Sequence, residues 1–504
     1  MPRSSEAGSV AAVPMAAAPG GPELAIVFAT GLYEPKGRDS VSIQTRDYLV
    51  GLHDVGASVH VLDMTAQGEL SPLLRVGRTA AMLTNAYGYP RPGAAIARPL
   101  VRRAGWRAPG VRLARRLNGR AERPIQRPGA GKERDKAVVE AITVPPGAAG
   151  VSAARSVVCV VNGYDLMFAP GWGGVWREGV HACLQRAFPA ATRIRWVANV
   201  VNETTCVAST IVTGLRAFDE VWVPARFQAE ALGRSGLSGV PVHTVPEAAD
   251  LEVFHPGVAP ATIPGRREFC FLTVSQYLPD QRPRTDERQG ARDLALLWNQ
   301  GRKATDLLVR AFVEEFGPDE DVCLAVKSTH ETGEVRDALL RVLAQIGSPA
   351  ERLAQVIPLG GWTDTRGLAA LYAAADAFVL VSRGEGWGRP LAEAMAMGKP
   401  AVATGFGGNT DFMDARTAYL VDYEVVPVAS TLGRKFAGLG EWAEPSLADL
   451  RRTLRAIVTD REAARGCGRR GADFVRRRLG RADVARAIEA RARASVGLSV
   501  DARR

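Results

Sequence analysis

Cysteine is scarce and scattered. The six thiols (Cys159, Cys183, Cys206, Cys270, Cys323, Cys467) form no C-x-x-C pair and stand at no metal-ligand spacing, and several lie inside apolar runs. That pattern excludes a disulfide scaffold and predicts reduced, packed thiols in a cytoplasmic setting. No stretch approaches the roughly 20 uninterrupted apolar residues a helical membrane span needs, so an integral membrane protein is excluded. The first 22 residues lack apolar bulk, and Pro14 and Pro19 interrupt their one mildly hydrophobic run. They read as a disordered tail, not a signal peptide. From Arg98 to Arg127 acid is what is missing: ten arginines face one acidic residue, Glu122. The plain reading is a solvated basic insertion near residues 75–150. The functional reading is a peripheral contact with the anionic inner face of a membrane, where each basic residue contributes about 1 kcal/mol. Aromatics barely interleave with these arginines, which argues against nucleic acid as a partner.

What is present is a long alternation of apolar runs and amphipathic segments. At 504 residues the chain exceeds what one core supports and predicts two domains. Leu24 to Ala29 reads as a buried strand, Val41 to Leu52 as a helix with an imperfect apolar stripe, and Val59 to Leu62 as a second strand. Ser156–Val161, Ile194–Val201 and Glu220–Pro224 read as further strands, with helix-like Phe227–Leu232 before Val242. A second series opens at Phe269–Val274. Its helix from Thr305 to Phe316 is stopped by Gly317-Pro318, and strands follow at Val322–Val326, Val356–Leu359, Ala377–Val381 and Ala401–Thr404. The expectation is an α/β protein with two doubly wound, Rossmann-like domains. Their predicted extents are 23–250 and 260–475, followed by a helical tail over 476–504.

The stretch from Ser382 to Pro400 carries the chemistry. It follows an apolar strand, turns through Gly384, Gly386 and Gly388, enters a helix with Pro390 at an early position, and leaves it at Gly398. Free N–H groups near residues 386–389 at a helix N-terminus make an anion site. Two carboxylates eight residues apart, Glu385 and Glu393, frame that turn. Carboxylates repel phosphate but accept hydrogen bonds from hydroxyls, each worth roughly 1.5–3 kcal/mol. The arrangement fits a diphosphate flanked by two polyols. The plain alternative is a helix start with one acid near the dipole and another facing solvent.

The Glu-x7-Glu pair with its Gly-Trp-Gly insert, the Glu393-Ala-Met-Ala-x-Gly-x-Pro helix, and Gly407-Gly408-Asn409-Thr410-Asp411-Phe412 resemble the group 1, glycogen-synthase-like family of retaining GT-B glycosyltransferases. Phe218 to Pro224, Val245 to Asp250 with Phe254-His255-Pro256, and Trp442-Ala443-Glu444-Pro445 extend the resemblance over most of residues 195–460. It implies a GT-B fold with two Rossmann-like domains facing a cleft, a nucleotide-diphosphate sugar as donor, and transfer with retention. It implies that Glu385 holds hydroxyls of the donor sugar, that amides of Gly386, Trp387 and Gly388 line the pocket, and that Glu393 binds the ribose diol. The family neutralises the diphosphate with an Arg and a Lys-Gly pair; here Arg302-Lys303-Ala304 stands in that place. Gln276 replaces the usual Arg and Ala304 the glycine, with a polar insertion from about Leu278 to Gly301 between them. Arg302 and Lys303 are the expected cations, with Arg282 or Arg284 as substitutes.

A departing diphosphate leaves charge on oxygen, which fixed cations and a helix N-terminus stabilise. The expectation is therefore a hexosyltransferase with no cofactor and no metal. Asp319-Glu320-Asp321, directly after Gly317-Pro318, reads as a surface turn. On the acceptor side, Glu203 in Asn202-Glu203-Thr204 and Asp165 in Gly163-Tyr164-Asp165 are candidates against plain loop residues. Gly37 in Lys36-Gly37-Arg38 loosely matches the glycine turn that approaches donor phosphates. None of the six histidines stands in a segment that marks it as catalytic. The acceptor is left open among a glycan, a lipid-linked group and a small molecule. The rival readings are a sugar-nucleotide epimerase of the same fold, which would lack the matched Glu-x7-Glu, and a non-catalytic sugar-nucleotide-binding relative.

Overall fold

A computed structural model describes residues 23–30, 40–63, 143–144, 150–162, 175–275, 301–428 and 440–499. The N-terminal tail, the Arg98–Arg127 segment and the polar insertion lie outside these residues, as do Gly37, Asp165, Gln276, Arg282 and Arg284.

The apolar runs of the first half pair into one parallel sheet. Its strands are β1 (Leu24–Thr30), β2 (Val59–Asp63), β3 (Thr143–Val144), β4 (Ser156–Asn162), β5 (Arg193–Asn199), β6 (Glu220–Val223) and β7 (Val242–Thr244). They lie in the order β3-β2-β1-β4-β5-β6-β7, every pair parallel. The second half repeats the plan with β8 (Phe269–Val274), β9 (Val322–Lys327), β10 (Val356–Leu359), β11 (Ala377–Leu380), β12 (Ala401–Thr404) and β13 (Tyr419–Val421), ordered β10-β9-β8-β11-β12-β13. Every residue of β9, β11 and β12 is buried, as strands covered on both faces require. In both sheets the order reverses beside the first strand, between β1 and β4 and between β8 and β11. Doubly wound sheets bind ligands at that reversal.

The helices of the first half are α1 (Ser40–Asp54), α2 (Val175–Ala187), α3 (Ser209–Leu215) and α4 (Arg226–Arg234). Those of the second are α5 (Thr305–Glu315), α6 (Thr332–Gln345), α7 (Thr365–Ala374) and α8 (Arg389–Ala396), then α9 (Leu447–Thr459) and α10 (Arg461–Arg478). A short antiparallel ribbon, β14 (Tyr423–Pro427) with β15 (Glu441–Pro445), precedes α9. The chain then returns. Its last helix, α11 (Arg481–Ser495), expected as a tail, packs on the first sheet, where Val484, Ala485, Ile488 and Ala492 share a core with Tyr48, Leu49 and Leu52 of α1. The two helices approach closely at Gly51, where an added Cβ would lie 2.7 Å from the Arg481 carbonyl oxygen.

The halves are thus joined by two crossings, one after β7 and one before α11. They run side by side: Ala249 bridges Gly480 in parallel, and the Ala249 amide donates to the Leu479 carbonyl at 2.7 Å.

Candidate active site

The turn after β11 is shaped by contacts on both sides. Gly384 has no room for a side chain, because a Cβ there would collide with the Glu203 carbonyl of the first half. Gly386 is likewise closed off by Val201, and the Gln228 side chain of α4 donates to its carbonyl. Gly388 caps α8 with φ 94° and ψ 50°, the left-handed conformation that suits glycine, and Pro390 sits in the first turn. The Trp387 ring turns inward onto Phe412, with centroids 4.7 Å apart, and is buried.

Around this turn the structure gathers the charged residues expected from sequence. The Lys303 ammonium donates to Glu385 Oε1 at 2.5 Å, and the Ser382 hydroxyl donates to the same oxygen at 2.6 Å. Arg302 Nη1 lies 3.5 Å from Glu385 Oε2 and donates to the Gly384 carbonyl at 2.7 Å. Its Nη2 is 3.7 Å from Glu203 Oε1, so the acceptor-side candidate of the first half meets the cation pair of the second. Arg302 and Lys303 stand just before α5, which follows β8, while Glu385 follows β11. The cluster therefore sits where strand order reverses.

Burial pushes the Glu385 carboxyl up, but Lys303, Arg302 and the Ser382 hydrogen bond outweigh it and hold the group below the ordinary carboxylate value. Burial also lowers Lys303, with Arg302 adding to the effect and Glu385 opposing it. A doubly charged phosphate beside Lys303 would act against this lowering and favour the ammonium. Ala304, where the family resemblance calls for glycine, caps α5 at φ 46° and ψ 32°. It is the one non-glycine residue with positive φ among the described residues.

Glu393 lies one turn into α8 in a different setting. The Tyr372 hydroxyl of α7 donates to its Oε2 at 3.2 Å, and Arg389 Nε stands 3.8 Å from its Oε1. Arg389 Nη2 donates to Asp47 of α1 at 2.8 Å, and Nη1 is 3.7 Å from Glu247. Arg481 Nη2 donates at 2.7 Å to both Asp47 and Asp250. Four carboxylates thus face two guanidiniums, and all are buried or nearly so. Burial, with repulsion from Asp47 and Asp250, raises Glu393 to about 7 in spite of Arg389 and Tyr372. Burial raises Glu247 to about 7 as well, against the pull of Arg389.

Sequence reasoning quoted Ser382, Arg389, Glu247 and Asp250 without giving them roles, and it missed Tyr372, Asp47 and Arg481. The spacing of Arg389 four residues before Glu393 on one helix was the available signal. Asp319-Glu320-Asp321 is a structural turn: Glu320 accepts from the Gly317 amide at 2.7 Å and pairs with Arg455, and Asp321 accepts from the Glu268 amide at 3.0 Å.

Residues 295–432, which hold both carboxylates and the cation pair, match the family described as glycosyl transferases group 1. No curated protein matches the sequence of the chain. Among solved structures the chain is similar to a glycosyltransferase from Rickettsia africae, at 11% identity over 95% of this chain and 100% of that one, TM-score 0.52. It is similar to a sucrose-phosphate synthase from Thermosynechococcus elongatus, at 16% identity over 94% and 100%, TM-score 0.52. It is also similar to Anabaena HepE in complex with UDP, at 13% identity over 92% and 98%, TM-score 0.51. These likenesses give the fold, which is of GT-B type. No helix among the described residues is long and apolar enough to cross a membrane.

Proposed function

We propose that this glycosyltransferase moves a hexose from a nucleotide-diphosphate donor to an acceptor with retention of anomeric configuration. The observation that carries the reading is the convergence of Lys303, Arg302 and Glu385 at the N-terminus of α8, beside the strand-order reversal. In the proposal the donor sugar places hydroxyls on Glu385, the diphosphate takes over Lys303 and Arg302, and the ribose diol reaches Glu393. HepE, of the same fold, was solved with UDP, which supports a nucleoside diphosphate as the leaving group. Retention follows from the resemblance to the glycogen-synthase-like enzymes.

The chemistry is electrostatic. As the anomeric carbon loses the diphosphate, negative charge grows on the bridging oxygen, and two cations with the amides of residues 386–388 are already in place to receive it. This arrangement supplies the charge that a metal ion would otherwise bring, so the proposed reaction uses no metal and no cofactor. The acceptor, whether glycan, lipid-linked group or small molecule, approaches from the side of Glu203.

Incubation with UDP-, GDP- and ADP-linked sugars tests the reading. Slow release of free sugar and nucleoside diphosphate without an acceptor is the expected result. Epimerised donor with no release, or binding with no turnover, would replace it.

A further inference from the structure

The charge cluster around Arg389 occupies the joint of the molecule. Asp47 belongs to α1 of the first half, Glu247 and Asp250 to one crossing, Arg481 to the start of α11 just beyond the other, and Arg389 with Glu393 to α8 of the second half. The two Glu393 oxygens are held by different means. Tyr372 fixes Oε2 with a hydrogen bond, while among the described residues Oε1 has the longer approach of Arg389 Nε. Arg389 in turn is anchored by its firm bond to Asp47, a residue that Arg481 holds from the other side. Its Nη1 and the Glu247 Oε2 opposite are buried and have no hydrogen-bond partner among the described residues. Asp47 is therefore the firm contact that decides where the guanidinium sits.

Resting on the reading of Glu393 as the ribose acceptor, we propose that Arg389 is a positioning residue. It aims the Glu393 carboxylate at the donor's diol and makes that aim depend on the first half through Asp47. A planar fork can address carboxylates on three elements at once; an ammonium on a flexible stem serves one at a time. The donor's ribose is then well held only when α1 and α8 stand in this mutual position.

Titration calorimetry with UDP, GDP and ADP first selects the nucleoside diphosphate that binds tightest. Its affinity is then compared with that of its 2′,3′-dideoxy form. The unaltered protein is expected to favour the ribose form by about tenfold or more, the worth of hydrogen bonds to a charged acceptor. In Arg389→Met that ratio should fall to within about twofold, through loss of ribose-form affinity while dideoxy binding holds. Arg389→Lys keeps a buried cation, and with it the fold, and should still leave the ratio under about threefold. Measured at about pH 8.5, where Glu393 is ionised with or without the repulsion of Asp47, Asp47→Asn, which loosens the bond to Arg389, should lower it at least about threefold. An undiminished ratio in Arg389→Met, or in Arg389→Lys if the first variant does not fold, overturns the inference. An undiminished ratio in Asp47→Asn removes the dependence on the first half. A protein that never distinguishes ribose from dideoxyribose overturns the Glu393 reading itself, which is a different result.

Discussion

Glu385 and Glu393 are eight residues apart, both buried, at the two ends of one glycine turn and helix start, and their surroundings drive them in opposite directions. Glu385 has two cations and a hydroxyl on its oxygens and stays ionised. Glu393 belongs to a cluster with two more carboxylates than guanidiniums, and its proton is retained up to about pH 7. Equal burial therefore sets neither charge; the balance of partners does. The cation-rich end suits a developing anion, and the acid-rich end suits a neutral diol.

That contrast can be broken at each end. Glu385→Gln should lower kcat by about a hundredfold or more while nucleoside diphosphate affinity changes by less than about threefold, because the part of the donor that the side chain is proposed to touch is the sugar and not the diphosphate. Steady-state rates against calorimetric binding check this, and equal turnover would refute it. Lys303→Ala should weaken both turnover and nucleoside diphosphate binding, each by about tenfold or more.

At the other end the expected effect is a pH dependence of unusual sign. The native protein holds protons on Glu393 and Glu247 that the unfolded chain releases near the ordinary carboxylate value, so more protons are bound in the native state between about pH 4.5 and 7. Stability should therefore fall as pH rises through that window, by about 3 kcal/mol for one such carboxylate. Denaturant titrations of the protein and of Glu393→Gln should show the slope and its reduction; a parallel pair of curves would refute it. Nucleoside diphosphate affinity should rise over the same window, since a diol donates better to the ionised carboxylate. The smallest effect is at Ala304. A glycine accepts the left-handed conformation without steric cost, so Ala304→Gly should stabilise the fold by about 1 kcal/mol, read as a higher thermal midpoint.

The local parts of this arrangement were legible in the sequence. Continuous apolar runs mark strands buried on both faces, and the glycine turn with Pro390 announces a helix start. The stripe of α1 looked imperfect for a reason the structure supplies. The helix is covered on one side by the sheet and on another by α11, so Asp47 and Gly51 are buried along with Tyr48, Leu49 and Leu52. The Arg389 cluster could not be read, because its members come from sites as far apart as Asp47 and Arg481 and no local periodicity links them. The approach of Glu203 to Arg302 likewise depends on how the halves meet.

The placement of α11 has a consequence for biogenesis. The apolar face of α1 is completed by a helix whose first residue lies 434 positions after Asp47. At about 5–20 residues per second, a ribosome needs roughly 20 to 90 seconds to cover that distance. Throughout that interval the first half waits with part of its core uncovered, and a segment made after the whole second sheet completes it.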